Sequence, residues 1–301
     1  MRNKGPLLVL FCYVLFGILP IYWKLIGNLD PYFILANRVV WSLAFALFCV
    51  AIKGQWWRIK ALRHEGKLLR TLLVSGALLV VNWGSYIIAV NTDHIIDASL
   101  AYYLNPIMSI LIGCFFFREQ LTGLQKCSVA LATLGVLYGV VSFGVVPWLA
   151  LVIGGTFALY GALKKAVVLD GVTSLAIECL WMLVPALIGY VWLVSQGRFT
   201  MDGSAISWWQ WLILPTTGII TGWPLVIFAR GLRTTSYSLS GILMYINPTL
   251  QLLCGVFLYG EHFNAIYGVM FAFVWAAVLL YLASILLEHR RQQRQRDNLR
   301  Q

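Results

Sequence analysis

Acidic side chains are scarce in this chain, with 11 Asp and Glu against 22 Lys and Arg in 301 residues, and charged residues of both signs make up 11% of it. Soluble domains carry about 25%, so a water-facing surface over most of the molecule is excluded. Histidine is scarcer: His64, His94, His262 and His289 fall in predicted loops or at helix ends, and no His-Glu-x-x-His helix is present to hold zinc. The six cysteines, Cys12, Cys49, Cys114, Cys127, Cys179 and Cys254, lie in or beside apolar runs without Cys-x-x-Cys spacing, so packing rather than metal or disulfide use is expected of them. No glycine-rich phosphate loop follows a strand, so an ATP-driven pump would need another subunit. The chain does not read as an enzyme, and neither a metal nor a cofactor is expected.

What is abundant is apolar surface, at 60% of residues. Crossing ~30 Å of hydrocarbon takes roughly 20 apolar residues as a helix, with every backbone group bonded inside its own segment. Ten such segments are predicted, at 7–26, 32–52, 71–90, 99–117, 125–142, 146–163, 172–194, 208–229, 238–259 and 265–287, an all-α integral membrane fold. The first follows Arg2 and Lys4 as a signal peptide would, but no small-residue cleavage site comes after it, so it is read as a spanning helix. With the N-terminus inside, 19 of the 22 cations fall on cytoplasmic stretches, which places both termini in the cytoplasm of a plasma or inner membrane. The net charge of +11 follows from that topology and from a basic tail suited to anionic lipid headgroups. Nucleic acid is not an expected partner.

The chain is duplicated. Tyr103-Leu-Asn105-Pro106 returns as Tyr245-Ile-Asn247-Pro248, followed at equal distances by Gly113 and Glu119 in one copy and Gly255 and Glu261 in the other, an offset of 142. Towards the start of each half the offset is 140, pairing Lys24, Asp30, Trp41, Trp83 and Ala89 with Lys164, Asp170, Trp181, Trp223 and Ala229. Residues 1–143 and 144–287 are therefore read as two repeats and 288–301 as a cytoplasmic tail. Five helices per repeat is an odd number, so the second copy enters the membrane inverted. Inverted repeats commonly mark transporters that bind cargo near the midplane and alternate access by exchanging the two halves' conformations.

The paired Asn-Pro helices, the Glu119-Gln-Leu-Thr122 turn with its counterpart Glu261-His-Phe-Asn264, and the stretch from Tyr22-Trp-Lys24 to Arg38 resemble the EamA-type ten-helix permeases of the drug/metabolite transporter superfamily, and within them the RarD group of chloramphenicol-sensitivity proteins. The resemblance covers nearly the whole chain. It implies a permease, while members of the superfamily move amino acids, nucleotide sugars, sugar phosphates or drugs, so cargo does not follow from fold.

Ionisable groups inside apolar helices are the first site candidates, since each costs ~2.5–3.5 kcal/mol or more near the bilayer centre unless paired or hydrated. Arg38 and Glu178 occupy equivalent repeat positions, about two turns into segments two and seven. They read as a carboxylate ligand and as an ammonium ligand or proton-coupling acid, so a zwitterion could bridge them; alternatively they close the cavity as an ion pair. Lys24, near a helix end, reads as a weaker ligand or a snorkelling cation. Pro106 and Pro248 remove backbone bonds and are expected hinges. Asn105 and Asn247 either contact cargo or satisfy the freed backbone and hold neighbouring helices, and Tyr103, Tyr245 and Asn82 complete a polar lining. Glu119 and Glu261 are expected at structural turns, accepting N–H groups of the helices capped by Thr122 and Asn264. Gly135/Gly139 and Gly218/Gly222 have the spacing of close helix crossings.

The reading is an inner-membrane secondary transporter exporting a small polar metabolite, an amino acid or related zwitterion. A drug-efflux permease for a chloramphenicol-like cargo and a non-transporting assembly or lipid-handling protein are the alternatives. Expected partners are the bilayer, the small-molecule cargo, protons and a second copy of the chain.

Overall fold

The computed structural model describes residues 4–26, 29–91, 95–144, 148–197, 206–260 and 265–298. Among these residues every regular element is helical. The first half comprises α1 (Gly5–Leu25), α2 (Pro31–Ile52), a short α3 (Trp56–Ala61), α4 (Gly66–Asn91), α5 (Ile95–Phe116) and α6 (Gly123–Phe143). The second comprises α7 (Trp148–Ala166), α8 (Gly171–Ser195), α9 (Trp208–Ile213) running past Leu214 and Pro215 into α10 (Thr216–Leu232), α11 (Tyr237–Leu243), α12 (Ile246–Leu253) and α13 (Ala265–Asn298). Nine helical stretches among the described residues are long and apolar enough to span a bilayer, α9 with α10 and α11 with α12 each counting as one, and Leu100–Phe116 of α5 is a shorter tenth. This is a multi-pass membrane protein.

Local chemistry sets where these helices start. The Asp30 carboxylate accepts the Tyr32 N–H at 2.8 Å and so caps α2, and Asp170 accepts the Val172 N–H at 3.2 Å at the equivalent start of α8. Thr122 and Gln125 form a reciprocal capping box at α6, each satisfying a backbone N–H of the other, the arrangement that meets two of the unpaired donors at a helix N-terminus. Helix α13 continues unbroken beyond the predicted span to Asn298; the Gln and Arg residues that fill this segment are strong helix formers, so leaving the apolar stretch does not end the helix.

Packing between the two halves is symmetric. Helix α2 lies on α8, α5 on α11, and α6 on α13, each pair joining equivalent helices of the two halves. The other large contacts exchange in pairs: α1 on α10 matches α7 on α4, α1 on α11 and α12 matches α7 on α5, and α2 on α10 matches α8 on α4. Tyr13, Val39, Leu79, Tyr160 and Phe228 belong to one core cluster and Leu100, Ile110, Tyr245, Met270 and Val274 to another. Phe48, Phe115, Val141, Trp208 and Leu212 are exposed on the outside, as lipid-facing residues should be.

Lipid offers no hydrophobic drive between helices, so close van der Waals approach must hold them. At the crossing of α10 on α2 backbone meets backbone, and a Cβ on Gly218 would stand 2.2 Å from the Trp41 carbonyl carbon. The other glycines of the predicted crossing pairs also face a neighbouring helix, Gly139 against the Met270 side chain and Gly222 against Phe45.

The two Asn-Pro segments differ. In the first, α5 runs straight through Pro106, whereas in the second the helix stops after Leu243 and restarts as α12 just before Asn247 and Pro248, then widens into a π turn at Cys254–Leu258. Pro248 sits in the first turn of α12, where a missing N–H costs nothing. Pro106, inside α5, leaves the Tyr102 carbonyl without its usual partner.

Candidate functional site

A cavity of about 340 Å³ lies between the halves. Its walls are the late turns of α1 and α4, the early turns of α2, α5 and α7, and the middle of α10 and of the α11–α12 break. Given the alternating helix directions, this places it in the half of the bundle remote from the end where α1 begins. We call that end the N-terminal face and the other the far face.

Arg38 is the charged group in the lining, and among the described residues no carboxylate accompanies it there. Its guanidinium carbon stands 4.7 Å from the Trp23 ring centre and 4.4 Å from that of Trp83. Its Nε donates to Thr221 Oγ1 at 3.3 Å. Two indoles and one hydroxyl thus support the cation without neutralising it, within the ≈6 Å reach of cation–π attraction.

Asn82, Asn105 and Asn247 also line the cavity. Asn82 Nδ2 donates to the Ile153 carbonyl at 2.6 Å and Asn105 Nδ2 to the Gly154 carbonyl at 2.7 Å, so two amides from different helices grip adjacent carbonyls of α7. Asn247 Oδ1 accepts from Gln251 Nε2 at 2.6 Å. Asn82 and Asn105 therefore hold helices together while facing the cavity, whereas the Asn247 bond lies within its own helix. Tyr103 and Tyr245 are absent from the lining: both are core side chains, and the Tyr245 hydroxyl donates to the Tyr103 carbonyl at 3.4 Å, joining the two Asn-Pro segments. Tyr102, one residue earlier, is in the lining instead. Lys24 is exposed at the far end of α1, its ammonium 3.7 Å from the Tyr259 ring centre, away from the cavity lining.

Glu178 is placed apart from Arg38, and the bridging or pairing of these two expected from the sequence is replaced by another ion pair. Lys164 Nζ lies 3.0 and 3.1 Å from the two Glu178 oxygens, with both side chains almost wholly buried. Ser75 donates to the same carboxylate, as do Ser174 at 3.3 Å and Tyr160 at 3.4 Å. The physical reason is helix length. Segment six was predicted to end at 163, but α7 continues to Ala166 and carries Lys164 inward, where an unpaired ammonium would be costly. The match of Lys24 with Lys164 was the signal that could have shown it.

Glu119 differs from the expected local cap as well. Thr122 and Gln125 already serve the start of α6, and the Glu119 carboxylate reaches into the other half, accepting Tyr237 N–H at 2.6 Å and Ser238 N–H at 2.7 Å at the start of α11. Arg118, with φ of 53°, turns the chain so that Glu119 points back. A Cβ on Gly113 would stand 2.6 Å from Ser238 Oγ, so glycine is what lets α11 approach. Glu261 and Asn264 lie outside the described residues. Tyr13 and Ser240 share a hydrogen bond of 2.9 Å and Tyr237 donates to the Ala158 carbonyl at 2.5 Å, so the N-terminal half of the bundle is tied shut over the cavity.

Trp23, Tyr102, Thr221 and Gln251 are cavity residues that the sequence reading did not single out. No group of three or more His, Cys, Asp and Glu with the makings of a metal site occurs among the described residues.

A helical membrane bundle of two similar halves with a cavity between them is an architecture common among transporters. Residues 3–140 match the model of the EamA-like transporter family. The chain is 36% identical over 286 residues to the uncharacterised transporter YojE of Bacillus subtilis, spanning 94% of each chain. It is 35% identical over 289 residues to protein RarD of Escherichia coli, spanning 96% of this chain and 97% of that one. It is 32% identical over 282 residues to the chloramphenicol-sensitive protein RarD of Pseudomonas aeruginosa, spanning 92% and 93%. A crystal structure of another protein superposes with a TM-score of 0.70 at 18% identity, covering 93% of this chain and 98% of that one, and so shares its fold. The chain belongs to the RarD group of the EamA-like transporter family.

Proposed function

We propose that this transporter is a secondary permease of the plasma or inner membrane, with both termini cytoplasmic, that exports a small carboxylate-bearing metabolite, amino acids and related zwitterions foremost. The observation that carries this reading is Arg38, a cation stacked between Trp23 and Trp83 in the cavity wall without a carboxylate partner in the lining. Arginine presents a planar fork of donors suited to a carboxylate, and an anionic cargo would complete the site electrostatically. The cavity volume, near the lower end of the ~300–1,000 Å³ usual for small-molecule pockets, suits a cargo of amino-acid size. Asn105 and Asn247 supply amide groups close to the exchange axis of the two repeats, residues 1–143 and 144–287, and Pro106 and Pro248 are the positions where the two Asn-Pro helices would flex. The cation-rich N-terminal face, with the basic tail 288–301, supports the orientation.

The test is transport in proteoliposomes of three matched probes: L-phenylalanine, 3-phenylpropionate and phenethylamine. Flux of the two carboxylates that is lost in Arg38→Ala, with none for the amine, is the expected result. A second reading, efflux of a neutral aromatic drug, draws on the Pseudomonas relative's name and on the largely apolar lining. Chloramphenicol flux that survives Arg38→Ala, with neither carboxylate moving, would replace the first reading by this one.

A further inference from the structure

Exchanging the repeats converts a description of one cavity into a description of the other. Each residue that lines the far-side cavity has an equivalent 140 or 142 positions away, and an inverted-repeat carrier reaches its opposite state when each half takes up the other's conformation. Asn105 and Asn247 simply trade places, so they border both cavities. Pro20, Ile34, Arg38, Ile153 and Gln251 are replaced by Tyr160, Ser174, Glu178, Tyr13 and Ser109. All five replacements carry polar groups and all five are buried. Three of them already touch one another, Tyr160 and Ser174 both donating to Glu178. The exchange also puts Gly222, Val226, Met244 and Val81 in the places of Asn82, Tyr86, Tyr102 and Thr221, so the polar groups of the second lining gather around Glu178, where a buried charge is costly unless paired or hydrated.

The same exchange says what happens to the ion pair. Lys24, the equivalent of Lys164, rests over the ring of Tyr259, and the equivalent of Tyr259 is Phe117. Phe117 stands close to this region already, with Lys165 Nζ 5.4 Å from its ring centre. By the same exchange the counterpart place for Lys164 is the face of Phe117, and a lysine moved there would leave the Glu178 carboxylate towards the cavity.

Resting on the carboxylate-transport reading above, we propose that the N-terminal half of the bundle holds a second binding site, closed in this state, in which Glu178 released from Lys164 receives a monovalent cationic group, the cargo's own ammonium or a proton. The groups that face Glu178 are Ser75 from α4, Lys164 and Tyr160 from α7, and Ser174 on its own helix. None of these other than Lys164 could neutralise the carboxylate once the pair opens.

The first test needs no cargo. Ser109→Cys and its repeat mate Gln251→Cys are treated with a membrane-impermeant thiol reagent from either face of oriented vesicles, with modification read site by site by mass spectrometry so that the native cysteines stay in place. Labelling of Ser109→Cys from the N-terminal face and of Gln251→Cys from the far face is expected, each at least tenfold above the opposite face. A Ser109→Cys that stays unlabelled from the N-terminal face while the vesicles carry flux would overturn the second site. The second test uses Lys164→Met/Glu178→Gln, which removes both charges and so leaves neither buried alone. Wild type is expected to prefer L-phenylalanine over 3-phenylpropionate at least tenfold at the N-terminal face, and a collapse of that ratio in the double variant with the far-face ratio unchanged identifies the ammonium. A retained ratio with loss of proton-gradient-driven accumulation identifies the proton. No change in either quantity would overturn the role of Glu178. Failure of all three probes to move would refute the carboxylate reading while leaving the labelling result to stand by itself.

Discussion

Lys164 and Glu178 form a buried ion pair with the ammonium 3.0 and 3.1 Å from the two carboxylate oxygens, while the repeat equivalents of these residues are two cations, Lys24 and Arg38, that cannot pair. The fold repeats, but the charge at this position changes sign. One half thus contains a neutralised pair inside its core, and the other leaves its arginine to face a cavity.

The first prediction concerns that pair. Removing one partner of a buried ion pair leaves an uncompensated charge and costs about 3–5 kcal/mol, whereas replacing both is far milder. Lys164→Met and Glu178→Gln should each lower the unfolding temperature of the detergent-purified protein strongly, and the double variant should recover most of the loss. A double variant as unstable as the sum of the singles would mean that the two side chains do not act on each other.

Arg38→Lys keeps the charge but gives up the planar group held between Trp23 and Trp83. Cation–π contacts contribute about 0.5–2 kcal/mol each, and a lysine also loses two-pronged carboxylate recognition. The expected outcome is a KM for 3-phenylpropionate raised about tenfold with little change in protein abundance, measured by uptake into proteoliposomes. Trp83→Leu should act in the same direction and less strongly.

Glu119→Gln should loosen the N-terminal face. The carboxylate takes two backbone N–H groups at 2.6 and 2.7 Å, and hydrogen bonds to a charged group contribute about 1.5–3 kcal/mol. Hydrogen exchange at Tyr237 and Ser238 is expected to speed up by about tenfold or more, with the start of α6 unaffected because Thr122 and Gln125 cap it independently. Equal acceleration at both helix starts would indicate general unfolding instead.

Two glycines should respond unequally to alanine. At Gly218 the added carbon meets the Trp41 backbone at 2.2 Å, and at Gly139 it meets the Met270 side chain at 2.2 Å. Backbone cannot yield without moving α2, whereas methionine can change rotamer. Gly218→Ala should therefore lose most of the folded protein in size-exclusion chromatography, and Gly139→Ala should be recovered at near wild-type yield.

Much of the architecture could be read from residue order because the bilayer demands long apolar helices. The duplicated Asn-Pro motif revealed the inverted halves for the same reason: sequence offsets survive folding unchanged. The site was legible only in outline. Arg38, Asn82, Asn105 and Asn247 line the cavity, but which face of each helix turns inward depends on packing, so Tyr102 was passed over for Tyr103. The Glu178 partner was hidden by a helix end, since three further residues of α7 move Lys164 from a loop into the core. Glu119 was misassigned because local caps are visible in sequence and a contact 118 residues away is not.

The sign reversal between positions 38 and 178 has a kinetic consequence. The two mouths of the carrier differ chemically, one offering a lone guanidinium and the other a carboxylate with a lysine that can screen it, so half-saturation need not occur at the same concentration on the two sides. Detailed balance nevertheless holds Vmax/KM equal in both directions for a carrier with no driving ion and no membrane potential across it. The tighter mouth must then be the slower one, and an inequality of the two ratios would itself reveal that a second ion rides along.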